Sequence, residues 1–256
     1  MTASSTSPLA GRRALVTGST SGIGRSIVLA LAREGAHVVV SGRNNDAGAA
    51  VVQEVRSAGG TAHFVPADLS GGARAATGLA KAASAAAGGP IDLLVNNAAV
   101  LVPAQSLAEA DEDTIDAALG VNVKAPALLV AAIAPAMAEV GGGVIVNVGS
   151  ISGAVGSPVS ALYGATKAAL HSLTASWAAE LASKGIRVNA VAPGPTMTDE
   201  NAGYHDVLRS LSANTPEGRP GTSAEVADAV LFLASEQATH IHGVILPVDG
   251  GYLAAR

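Results

Sequence analysis

Tyr163-Gly-Ala-Thr-Lys167 sets a phenol and an ammonium four residues apart. On a helix that spacing puts both on one face, where the cation can sit beside the phenol and favour its ionised form. A free tyrosine has a pKa of about 10, so bringing it near neutrality means stabilising the phenolate by roughly 4 kcal/mol, at about 1.4 kcal/mol per tenfold. One cation supplies part of that, and a second positive charge nearby would supply more. Upstream, Ser150 in Asn147-Val-Gly-Ser-Ile-Ser-Gly153 offers a hydroxyl that can hold a substrate oxygen while the phenol exchanges its proton. Tyr163 is therefore a candidate acid/base. The same spacing alone also describes a partly buried aromatic beside a solvated lysine, and the rest of the chain has to decide between them.

The elements that would position these groups follow from the hydrophobic pattern. Short β-branched runs alternate with longer alanine-rich segments of helical period, the pattern of a parallel sheet with helices on both faces. Strands are expected near Arg13–Thr17, His37–Ser41, Ala62–Pro66, Ile91–Val95, Val144–Val148, Arg187–Val191 and Val244–Val248. They lack an in/out alternation, which suits strands covered on both sides. Helices are expected over Ile23–Glu34, Ala73–Ala87, Thr114–Ala138, Leu162–Lys184 and Ser223–Ser235, with Pro126 and Pro135 as points where the third would kink or shorten. No linker or repeat divides the chain, so residues 11–256 read as one α/β domain and residues 1–10 as a loose tail without the basic start and apolar run of a secretory signal.

Composition removes several classes of function. Of the 256 residues, 49% are apolar and 14% charged, so much apolar surface must be buried, some of it between subunits. The net charge is −5 with scattered basic residues, which argues against a nucleic-acid partner. With no cysteine there is no disulfide or thiolate chemistry, and the cytoplasm is the default compartment. Apolar stretches such as Ala125 to Met137 read as too short to span a bilayer, so no membrane partner is expected. His240-Ile-His242 could offer two imidazoles to a metal but has no third ligand at a recognisable spacing, and no metal is assigned. Gly149-Ser150-Ile-Ser152-Gly153 is not the elbow of a serine hydrolase.

Near the start, Gly18, Gly22 and Gly24 follow one expected strand and open a helix, where a pyrophosphate can rest on backbone N–H groups at the positive end of the helix dipole. With Thr17-Gly-Ser-Thr-Ser-Gly-Ile-Gly24, Asn96-Asn-Ala-Ala99 and the Ser150/Tyr163/Lys167 set in this order, the chain from about Gly11 to Tyr252 resembles the short-chain dehydrogenase/reductase family. The resemblance implies a single-domain Rossmann fold, a doubly wound seven-stranded parallel sheet, and a nicotinamide cofactor. It places Ser21, Ile23 and the three glycines at the pyrophosphate, Asp68 and Leu69 at the adenine, Asn96 and Ala98 near the ribose, and Pro193, Gly194, Thr196 and Thr198 at the nicotinamide carboxamide. Ala99 departs from the glycine usual in that signature. Gly42 stands where NAD-preferring relatives carry aspartate, and Arg43 follows it with a fork that can pair with a 2′-phosphate. NADP(H) is favoured, with NAD(H) still open, because Ser21 replaces the extra basic residue of some NADP-binding relatives.

By the same resemblance Tyr163 is the acid/base, Ser150 orients the substrate oxygen, Lys167 supports the tyrosine and binds ribose, and Asn122 holds a water behind the lysine. The reaction implied is interconversion of a secondary alcohol and a ketone. The pocket would be lined by Val100–Ser106, Ile151–Ser160 and Met197–Thr215, mostly small or apolar, with Tyr204, His205 and Asp206 as exceptions; the last stretch is a candidate lid. A small apolar carbonyl or alcohol fits best. Reduction of a 3-oxoacyl group on a carrier protein ranks second, because Met137-Ala-Glu-Val-Gly-Gly-Gly143 lacks a basic landing patch. A catalytically silent dinucleotide sensor or partner subunit is the rival of another class. The alanine-rich helices and the segment Val244–Tyr252 suggest a homo-oligomer, a tetramer or dimer.

Overall fold

The computed structural model describes residues 7–102, 106–157 and 161–255. Among the described residues nine strands form in chain order: β1 (Arg13–Thr17), β2 (His37–Gly42), β3 (Thr61–Pro66), β4 (Leu93–Asn96), β5 (Gly143–Val148), β6 (Ile186–Pro193), β7 (Thr196–Met197), β8 (Gly221–Thr222) and β9 (Ile245–Val248). Seven of them make one parallel sheet in the order β3-β2-β1-β4-β5-β6-β9. The order reverses between β1 and β4, so the carboxyl ends of these strands open the crevice in which such sheets bind ligands.

Successive residues of a strand point to opposite faces, and here both faces are dry. Ala14, Val16, Val38, Val40, Leu93, Val95, Val144 and Val146 join one core with Ile27, Leu31, Val226 and Val230. Leu15, Val39, Leu94 and Ile145 join the other with Leu79, Leu129, Ile133 and Leu181. That division explains why the strands carry no polar alternation. The covering helices are α1 (Gly22–Arg33), α2 (Asn45–Ser57), α3 (Gly72–Ala86), α4 (Glu112–Leu119), α5 (Ala125–Glu139), α6 (Ala161–Leu181), α7 (His205–Ser212) and α8 (Ser223–Ala234). Where α8 ends, buried Arg187 of β6 donates to the carbonyls of Leu233 (2.8 Å), Ser235 (3.0 Å) and Ala234 (3.4 Å), satisfying acceptors that the helix itself leaves open.

Four departures from expectation have physical causes. The helix expected over Thr114–Ala138 is interrupted at Gly120–Lys124 by a π turn in which Ala125 N–H bonds to Gly120 O, five residues back. The prolines do not break it: Pro126 falls in the first turn of α5, where an amide is dispensable, and α5 runs on past Pro135 to Glu139. Together 112–139 form a helical run of 28 residues that is long and apolar enough to cross a membrane by length and composition, contrary to the sequence reading. Leu129, Val130, Ile133 and Met137 pack it onto the second core. Finally, the stretch expected as a lid contains α7, where the sequence reading assigns no helix, and β7 and β8 pair in a two-residue parallel ribbon too short for any periodicity to reveal.

Candidate active site

Thr17 ends β1 and ties the loops at the crevice together. Its hydroxyl accepts from the amides of Asn97 (3.0 Å) and Ala98 (3.1 Å) and donates to Val95 O (3.3 Å). Asn97 in turn donates to Thr17 O (2.9 Å) and Gly18 O (2.8 Å). The glycines follow from this knot. A Cβ on Gly18 would come within 2.7 Å of Ala98 Cα, and one on Gly24 within 2.3 Å of Gly18 O. Gly22 opens α1 with φ +51°, a left-handed conformation that other residues resist.

The first turn of α1 contains no acidic residue, and the N-cap, Ser21, makes no side-chain bond back to the helix. The end of the helix thus presents N–H groups in a cradle that side chains would fill, which fits a diphosphate. The hydroxyl of Ser21 donates instead to the carboxylate of Glu200, a neighbour that no sequence pattern announces.

At the end of β2 a Cβ on Gly42 would lie 2.7 Å from the Thr20 methyl, so the place of a carboxylate at this position is filled from the glycine-rich loop. Arg43 is exposed beside it. Asp68 accepts from Ser70 N (3.0 Å); that bond, the Ser70 hydroxyl and then the Arg43 charge hold its carboxyl below the usual range. Leu69 is buried beneath. Ala99 is exposed, so its extra methyl meets no crowding. Asn96 lies under the crevice, 3% exposed, donating to Asn147 Oδ1 (2.9 Å), while its own Oδ1 has no partner. Asn147 passes the chain on to Thr174 (2.8 Å).

Ser150 follows β5 and caps a single turn, Ile151–Gly153, accepting from Ser152 N (3.1 Å). The start of α6 seats directly on this turn because two glycines allow it. A Cβ on Gly153 would meet the backbone of Lys167 and Ala168 at 2.8 Å, and one on Gly164 would meet Ser152 O at 2.7 Å. That approach sets the Tyr163 phenol beside the Ser150 hydroxyl, which favours the ionised phenol. Lys167 is 3% exposed, with Nζ donating to Val148 O (2.8 Å) and standing 5.6 Å from the centre of the Tyr163 ring. One turn further, His171 wedges against Gly149, its Nε2 buried and without a partner.

Electrostatics here run opposite to the expectation from spacing alone. Burial raises the phenol to about 12, and the Ser150 hydrogen bond offsets only part of that rise. Burial also lowers Lys167 from 10.5 to about 8. With the groups the chain supplies, Tyr163 is thus a protonated acid at neutral pH. Burial, followed by the Lys167 charge, also lowers His171. Asn122, 1% exposed in the π turn, accepts from Val100 N (2.7 Å) and donates to Val100 O (3.0 Å) and Thr166 Oγ1 (3.1 Å). Both its donors are engaged, and Thr166 continues to Tyr163 O (2.8 Å). In this arrangement Asn122 fastens the loop after β4 to the helix of the tyrosine.

Pro193 and Thr196 are buried, and a Cβ on Gly194 would crowd Asp249 Cα at 2.9 Å. Thr198 caps the next turn, Asp199–Tyr204, in a reciprocal box with Asn201. His205 Nε2 lies 3.0 Å from Thr198 O, and Asp206 pairs with Arg209, so two of the three polar exceptions are held within the lid. Leu101, Tyr204, Val207 and Leu211 are exposed. Of the expected lining, residues 103–105 and 158–160 lie outside the described residues. Among the described residues no group of three or more metal-ligating side chains occurs.

A family model described as enoyl-(acyl carrier protein) reductase matches residues 18–253. A cis-4-hydroxycyclohexanecarboxylate dehydrogenase from Sinomonas cyclohexanicum is 41% identical over 244 residues, 95% of this chain and 97% of that protein. A 3-oxoacyl-[acyl-carrier-protein] reductase from Staphylococcus epidermidis is 38% identical over 242 residues, 94% and 98%. Among solved structures, one described as a short chain dehydrogenase/reductase family protein superposes with TM-score 0.88 at 40% identity, over 96% of this chain and 99% of that one. A putative NAD(P) dependent gluconate 5-dehydrogenase from Beutenbergia cavernae with bound NADP gives 0.90 at 38% identity, over 97% and 99%.

Proposed function

This chain belongs to the short-chain dehydrogenase/reductase family, NAD(P)-dependent oxidoreductases acting on CH–OH and carbonyl groups, and we propose that it interconverts a compact apolar secondary alcohol and its ketone, alicyclic ones best, with NADP(H) favoured over NAD(H). The observation that carries this reading is the placing of the Ser150 hydroxyl, the Tyr163 phenol and buried Lys167 together, at the carboxyl end of the sheet next to the cradle of Gly18, Gly22 and Gly24. When bound there, a nicotinamide dinucleotide supplies or accepts the hydride.

The chain's own groups do the rest. Ser150 holds the substrate oxygen, and Tyr163, a protonated acid near neutrality, donates its proton to that oxygen as the carbonyl is reduced. In the oxidative direction Tyr163 must act as phenolate, with Lys167 as the positive charge closest to it. Asn122 keeps the start of α6 fixed to the loop after β4. The exposed apolar groups Leu101, Tyr204, Val207 and Leu211 favour an apolar substrate, and the name of the Sinomonas relative, whose substrate is a ring alcohol that also carries a carboxylate, favours an alicyclic one. Arg43 beside Gly42 favours a 2′-phosphate.

Reduction of a 3-oxoacyl carrier-protein substrate is the second reading; the Staphylococcus relative favours it, and the segment before β5, which carries Glu139 and no basic residue, weighs against it. Exposed small residues along α6 (Ala165, Ala168, Ser172, Ala175, Ala179) leave that helix a face suited to a second copy. A panel of cyclic and acyclic ketones and alcohols, followed by nicotinamide absorbance with each cofactor, tests the proposal. Turnover of cyclic alcohols is expected; turnover of 3-oxoacyl thioesters alone would replace it with the second reading, and binding without turnover would favour a silent sensor.

A further inference from the structure

Glu200 is an acidic side chain set against the glycine-rich loop, and it comes from the far side of the crevice. Its carboxylate accepts the Ser21 hydroxyl. Its Oε2 also lies 2.8 Å from where a Cβ on Gly22 would stand, so it closes over the first turn of α1. That turn has no acidic residue of its own and an N-cap whose side chain is turned away. A helix start with free N–H groups attracts an anion, and here the chain provides one. Glu200 belongs to the turn Asp199–Tyr204, locked to Thr198 by the Asn201 box and continuing into α7. Whatever holds Glu200 therefore holds the lid.

We propose that Glu200 is a latch and a determinant of cofactor affinity: its carboxylate occupies the place at the start of α1 that the cofactor diphosphate needs, so binding must break the Ser21–Glu200 contact and free the lid. The inference rests on the dinucleotide site proposed above. The carboxylate lies over the start of α1, where a diphosphate would have to sit, and like charges repel there, so the latch acts as an internal competitor. Apparent affinity is reduced by the fraction of molecules in which it is closed. Cofactor entry and lid release become one event, and dinucleotide precedes substrate.

The test compares wild type, Glu200→Ala and Glu200→Gln. Binding of NADPH and NADH is measured by calorimetry, and hydrogen exchange across 199–212 is followed without added dinucleotide. Both variants are expected to bind NADPH roughly 5- to 30-fold more tightly, the range for loss of a charge-assisted contact, and Glu200→Ala to speed exchange in the lid. The glutamine variant keeps the shape and an acceptor while removing the charge, so a tightening shared by both assigns the effect to the carboxylate. Unchanged or weaker binding in the variants, with wild type binding normally, would overturn the latch alone. No binding of either dinucleotide by any of the three proteins would overturn the cofactor reading and the latch with it.

Discussion

Lys167 gives the most quantitative test of the site's electrostatics. It is 3% exposed, and burial lowers it from 10.5 to about 8. At about 1.4 kcal/mol per tenfold, that gap is roughly 3 kcal/mol of linkage between its protonation and folding. Below pH 8 the lysine is charged in both states, and the full penalty of burying the ammonium is present. Between 8 and 10.5 the unfolded chain holds the proton and the folded chain does not, so stability contributed at this position rises with pH. Above 10.5 the penalty is gone. Replacing Lys167 by Met removes the titration, and the orphaned Val148 carbonyl it leaves behind is the same at every pH. Urea denaturation of both proteins at intervals from pH 7 to 10.5 isolates the lysine's contribution. Wild type should gain about 3 kcal/mol relative to Lys167→Met across that window. A difference flat within about 0.5 kcal/mol would show that the ammonium is solvated and refute the electrostatic account of the site.

Three further outcomes are expected. Gly149→Ala places a Cβ 2.3 Å from His171 Nε2, so kcat/KM should fall roughly 10- to 100-fold as the Ser150 turn shifts; adding His171→Ala should restore most of it, and a double mutant as poor as the single would refute the packing argument. Arg43→Ala should raise KM for NADPH about tenfold or more and leave that for NADH nearly unchanged, an assignment lost if both move equally. Arg187→Ala strips three carbonyls at the end of α8 of their donor and should lower stability by about 2–4 kcal/mol in denaturant titrations; a loss under about 0.5 kcal/mol would mean water replaces the guanidinium freely.

The sequence revealed most readily what depends on local pattern. Val38–Val40 and Val144–Val148 read as doubly buried strands because alternate residues feed two cores, and every strand of the large sheet falls within two residues of its expected position. The Tyr163–Lys167 pairing was visible because helical spacing is local. Glu200 against Ser21 was not, since the contact joins residues 179 apart across a crevice no pattern describes. The π turn at Asn122 escaped because Gly120-Val-Asn-Val carries no proline and a lone glycine is tolerated inside a helix; what marks it is one bond reaching five residues back. The net shift of Tyr163 was not legible because spacing counts only the neighbouring charge, whereas the fold adds burial, the largest effect on both Tyr163 and Lys167.

The central claim, proton exchange between Tyr163 and the substrate oxygen, is tested most directly by Tyr163→Phe, with single-turnover hydride transfer and dinucleotide affinity measured on the same sample. The ring and its packing remain, and only the acid is lost. The rate should fall by about 10³-fold, within the range of general acid–base catalysis, while the dissociation constant for NADPH stays within about twofold. A variant that transfers hydride at the wild-type rate would contradict the account.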